Sequence, residues 1–166
     1  MATRWPDMDR TGPRVDQAAV QELEAYLGVS LPDDYARFLL EVNGGRTSKS
    51  FRVFDICTHR RPNSTILNSM NSLAEPDESR DLRTAREASH WLPPEVLPIG
   101  YDDGGGNLVL GIEGEHKGEV WFLDGVNRRP GESNPRVTWF DRRDVCRVAM
   151  SFTSFLEMLR PLRPVG

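Results

Sequence analysis

Helical stripes at both ends of a run of short apolar strands place this chain in the α+β class, as an antiparallel sheet of about five to six strands packed with an N-terminal helical hairpin and a C-terminal helix. Three observations carry the expectation. Residues 16–42 repeat apolar positions at helical spacing, residues 96–140 hold short apolar runs between turn residues, and residues 151–161 return to a helical stripe that a proline ends.

Residues 1–14 mix charge and proline and read as a poorly ordered lead-in, with Trp5-Pro6 able to tuck onto the body. Asp16 suits an N-cap. Val20, Leu23, Tyr26 and Leu27 then form an apolar face, and Gly28 supplies a stop. Pro32 sits well at a first helical position, and Tyr35, Phe38, Leu39 and Val42 repeat the stripe until Asn43-Gly44-Gly45 break it. "FRVFDI", Phe51 to Ile56, alternates and reads as a strand. From Thr58 to about Glu78 the chain is polar without sustained periodicity. Together with a modest helix carrying Leu82, Ala85 and Trp91, this makes residues 57–91 an expanded insertion or flap. "VLPIG", "NLVLGI", "EVWFLD" and "RVTWF" suit a meandering antiparallel sheet. Ser151 caps a last helix with Phe152, Phe155, Leu156 and Leu159 on one face, and Pro161 stops it.

With 166 residues and a net charge of −4, one domain spanning 1–166 with a real core is expected. No apolar run approaches the ~20 residues of a membrane helix, so no membrane association is expected. The opening residues lack the apolar centre of a signal peptide, which makes the cytoplasm the default address. Cys57 and Cys146 lie far apart without metal-type spacing and are expected as free thiols.

The stretch with most apparent chemistry is "LPIGYDDGGGNLVLG", Leu97 to Gly111. A dinucleotide or phosphate loop needs its glycines to open a helix, and these lead into the alternating strand Leu108, Leu110, Ile112. Asp102, Asp103 and Asn107 offer hard oxygen ligands, yet lack the ligand series and closing glutamate of a calcium loop. The reading that leads is a turn in which Gly104 to Gly106 take positive φ and the aspartates stabilise or solvate it. Cys57 and His59 are the one hint of a thiol–imidazole pair, without a group to orient the imidazole, and His90 and His116 are isolated. No catalytic residue, metal ligand or cofactor is therefore expected.

Three separated segments, "LEAYLGVSLPDDYARFLLEVNGG", "LPIGYDDGGGNLVLGIEGEHKGEVWFLDG" and "VAMSFTSFLEML", resemble in order and spacing the Smi/Knr-type domain of the SUKH superfamily. The resemblance spans Asp16 to Leu159. It implies an α+β sheet packed with helices. In bacteria it implies an immunity protein that binds and neutralises a cognate toxin, often a nuclease. A related fungal protein regulates cell-wall synthesis through protein contacts, which makes a regulatory scaffold the alternative. A small-molecule or metal enzyme using Asp102, Asp103 and Cys57 is a third, minor reading. The chain departs from the pattern in its long Cys57–Trp91 stretch and in Asn107, where many members carry aspartate.

Function is then expected on a surface. From Glu95 to Asp124 the acidic residues are Glu95, Asp102, Asp103, Glu113, Glu115, Glu119 and Asp124, against Lys117 alone. A toxin that acts on nucleic acid needs a basic cleft, so an acidic edge can occupy that cleft and speed encounter. The partner-binding residues expected are Asp102, Asp103, Glu113, Glu115 and Glu119. Direct nucleic-acid binding is not expected. The Arg-rich segment around Trp139 and Phe140 could suggest base stacking, but both rings fall in an apparent strand and read as packing.

Overall fold

The computed structural model describes residues 5–47, 49–52, 64–124, 138–142 and 144–162. Helices α1 (Gln17–Leu27) and α2 (Asp33–Glu41) form the expected hairpin. Asp16 Oδ1 accepts the Ala19 N–H at 2.9 Å, and Gly28 closes α1 in the left-handed region at φ 72°. Val20 and Leu23 are buried, but Tyr26 is 45% exposed. At about 100° per residue, a position six along from Val20 lies well off the Val20–Leu23 face. The Tyr26 hydroxyl instead donates to Glu87 at 3.1 Å, beneath the Arg83 guanidinium. Pro32 is the N-cap of α2, not its first helical residue, and Tyr35, Phe38 and Leu39 face inward.

Among the described residues the sheet has seven antiparallel strands. Strands β1 (Gly45–Arg46) and β2 (Ser50–Arg52) share one edge of β3 (Ser64–Met70). A meander then runs through β4 (Val96–Asp102), β5 (Asn107–Gly111), β6 (Val120–Leu123) and β7 (Val145–Ala149). Helix α3 (Leu82–Ala88) lies between β3 and β4, and α4 (Phe152–Met158) closes the chain. Pro98 stands inside β4, where its missing N–H coincides with a register irregularity between Pro98 and Gly100. Among the described residues, no helix is long and apolar enough to cross a membrane.

Along β5, β6 and β7, successive residues point to opposite faces. Leu108, Phe122 and Cys146 are aligned on the helix side, and Val109, Trp121 and Arg147 on the other. The helix side holds the main core, in which Phe152 lies edge-on to Tyr35 at 4.9 Å and 5.1 Å from Phe38. Burying an aromatic of this size stabilises the fold by about 1.5–3 kcal/mol. Asp34 Oδ2 ties α2 to α4 by accepting the Thr153 N–H at 2.8 Å and its hydroxyl at 3.0 Å. A smaller cluster occupies the opposite face, built from Leu92, Val96, Val109, Trp121, Leu123 and Val145 under Trp91, Trp139 and Phe140.

Further expectations are corrected by the strands, the lead-in and Cys146. Ser64–Met70, read as part of a polar insertion, is an interior strand. Its Ser69 is fully buried beside Leu67 and Met70, which erases the alternation that marks a strand in sequence. "RVTWF" is not a strand in its described part, because Trp139–Asp141 form a 3-10 turn and β7 follows. Trp139 and Phe140 both pack on the second-face cluster, which adjacent strand residues could not do. The lead-in is tied down from Trp5 onward: Trp5 packs on Phe38, Asp9 pairs with Arg46, and the Gly12 N–H donates to the Asn43 carbonyl at 3.0 Å. Cys146 is disulfide-bonded where a free thiol is expected. Cys57 and His59, and "FRVFDI" beyond Arg52, lie outside the described residues.

Candidate partner-binding surface

The glycine turn joins β4 to β5 at one end of the sheet. Asp102, only 2% exposed, holds it from inside: Oδ1 accepts the Gly106 N–H at 2.6 Å and Oδ2 accepts the Thr65 hydroxyl at 2.5 Å. Of the three glycines, Gly105 alone has positive φ, at 78°. Gly106 is required for a different reason, since a Cβ there would stand 2.6 Å from the Phe122 ring and 2.7 Å from the Leu123 carbonyl. The turn is thus built by one left-handed residue and one close approach. Asp103 is exposed and accepts from the Asn68 amide at 2.8 Å. Asp124, at this same end, is fully buried.

The opposite end of the sheet is different. Between β5 and β6 a 3-10 turn, Gly114–His116, projects Glu113 and Glu115 on either side of Gly114, whose φ is 75°. Both carboxylates are exposed, and neither makes an ion pair or side-chain hydrogen bond among the described residues. Glu95 reaches the same end because its carbonyl accepts the Ile112 N–H at 2.8 Å.

Glu119 turns inward. Its Oε2 lies 2.8 Å from His116 Nδ1 and accepts the Trp121 indole N–H at 3.0 Å, while Arg147 approaches Oε1 at 3.4 Å. The bonded imidazole is oriented by this carboxylate and lies tilted against Phe140, the centroids 4.1 Å apart and the ring planes 39° from parallel. Phe140 also meets Trp121 at 4.9 Å and Trp139 at 5.1 Å. The result is an aromatic patch anchored on a buried carboxylate, its imidazole carried on the same turn as Glu113 and Glu115.

The five residues expected to bind a partner therefore divide three ways. Asp102 and Glu119 are buried in internal bonding, Asp103 stands at the turn end, and Glu113 and Glu115 sit together at the far end. His116, isolated in the sequence, is partnered by Glu119 in the fold. A signal was present in "HKGEVW", where a histidine, a carboxylate and an indole fall within one tight turn and the start of a strand.

No curated protein matches the chain. The family model described as the SMI1/KNR4 family (SUKH-1) matches residues 14–158, from the lead-in to the end of α4. Because the match covers nearly the whole length, the chain belongs to the SMI1/KNR4 family (SUKH-1).

Proposed function

We propose that this chain is an immunity protein that binds a cognate toxin domain, with a nuclease as the favoured target, and neutralises it by occluding its active cleft. The observation that carries the reading is the exposed couple Glu113 and Glu115 on a hairpin tip, unpaired among the described residues, in a family consistent with such a role. A cleft that grips phosphates is basic, so two free carboxylates complement it, and desolvating them against a partner's cations satisfies both sides. The encounter takes place in the cytoplasm, and the chain acts by binding, without catalysis.

Membership supports protein contact in general, which the fungal-type regulatory scaffold would share. The discriminating experiment is to read the neighbouring open reading frames for a long secreted chain and to co-express its C-terminal domain with this chain. Restored growth together with a complex that survives size-exclusion chromatography is the expected result. Growth arrest with no complex would reject immunity and leave the scaffold.

A further inference from the structure

We infer that the second face of the sheet at the Glu113–Glu115 end is a docking surface for an arginine-bearing loop of a partner protein, with His116, Trp139 and Phe140 as its centre. This deepens the binding reading above and names the chemistry of the contact. The rings are half-buried and mutually braced, with Phe140 touching His116, Trp121 and Trp139. Braced aromatic rings lose little entropy on contact, and Trp is enriched among the residues that dominate interface energy.

Charge decides the occupant. Glu113 and Glu115 stand exposed on the turn that carries His116, and Glu119 lies beneath that imidazole. A guanidinium stacks on aromatic faces and pairs with carboxylates through its planar fork, so it satisfies both parts of the surface together. The chain already does this in part. Arg147, with a side chain 48% exposed, reaches Glu119 at 3.4 Å across the edge of the same patch. A nucleic-acid strand could use the rings, but its phosphates would meet the exposed carboxylates of Glu113 and Glu115.

The test uses the full chain, labelled with nitrogen-15, and two probes, a hexa-arginine peptide and a single-stranded oligothymidylate. Hexa-arginine is expected to shift the indole N–H signals of Trp121 and Trp139 and the backbone signals of residues 113–116, and the oligothymidylate to shift neither. Glu113→Gln with Glu115→Gln should weaken hexa-arginine about fivefold, and Phe140→Leu similarly, while Asp103→Asn leaves it unchanged. If Phe140→Leu does not fold, the glutamine pair still decides, since its sites are exposed. Shifts at the Asp103 end, no shifts, or preference for the oligothymidylate would overturn the inference. Toxin protection is scored separately. A chain that protects but does not take hexa-arginine at this face fails only this inference, and one that takes the peptide but does not protect fails only the immunity reading.

Discussion

The side chain of Asn43 pairs with the backbone of Leu73 on both sides of the amide: Oδ1 accepts the Leu73 N–H at 2.7 Å and Nδ2 donates to the Leu73 carbonyl at 2.9 Å. Nδ2 also donates to the Pro13 carbonyl at 2.7 Å. One buried amide thereby joins the end of α2, the lead-in and the exit of β3. Asn43 holds a left-handed φ of 61°, which asparagine tolerates better than most side chains.

Asn43→Ala should cost about 3–5 kcal/mol, because it orphans buried backbone groups and keeps an unfavourable φ. Asn43→Gly should be milder by about 1 kcal/mol, since glycine adopts that φ freely and loses only the bonds. Urea denaturation of the three chains checks the order. A loss under about 1 kcal/mol for alanine would mean that the amide is not a structural bridge.

The glycine turn separates backbone strain from crowding. Gly105→Val has open space around it but a positive φ, and should cost about 1–2 kcal/mol. Gly106→Ala should cost about 1–3 kcal/mol through its clash with Phe122 and the Leu123 carbonyl. Thermal melts measure both, and millimolar calcium or magnesium should leave the parent's Tm unchanged. A clear upward shift with either ion would mean that the turn binds metal.

Tyr35 is fully buried, its hydroxyl has no hydrogen-bond partner among the described residues, and desolvation pushes its ionisation well above the usual tyrosine range. The folded form therefore keeps its proton when the unfolded form, near pH 10, has begun to lose it. Stability from this residue is fully present below pH 10 and falls above it, by about 1.4 kcal/mol per pH unit. Tyr35→Phe should remove that slope and be neutral or stabilising by about 1 kcal/mol at pH 7, because it deletes an unsatisfied buried group. Equal alkaline slopes in the two chains would contradict the burial argument.

Adjacent carboxylates should behave unlike each other. Asp102→Asn disturbs two internal bonds and should cost about 1–3 kcal/mol, whereas Asp103→Asn should stay within about 0.5 kcal/mol. Reversing Glu113 and Glu115 to lysine should also leave the fold within about 0.5 kcal/mol. With a cognate toxin in hand, that reversal should slow association and flatten its salt dependence, read by stopped-flow at several ionic strengths. Unchanged association would remove the acidic tip from the mechanism.

Helices α1, α2 and α4 were legible because their signals are local. Asp16 and Ser151 cap the turns they begin, Gly28 closes α1, and the apolar residues recur at the helical period. The β5–β6 meander was legible for the same reason, since alternation at a period of two is written in consecutive residues. What the chain order could not show was where polar groups find partners. Ser69 and Asn71 are buried because β3 lies inside the sheet, so a segment that reads as polar becomes a central strand. Asp102 and Asp103 are the same residue side by side, yet Thr65, distant in sequence, and the folded turn draw one inward and leave the other to solvent. Glu119 is likewise withdrawn by Trp121, His116 and Arg147, while Glu113 and Glu115 stay free. Composition and periodicity report which side chains could be charged surface. Only the folded turns and the packing of β3 and β7 select which ones are, because a carboxylate's exposure depends on the donors gathered round it, some from its own turn and others, such as Thr65 and Arg147, from strands far away in the chain.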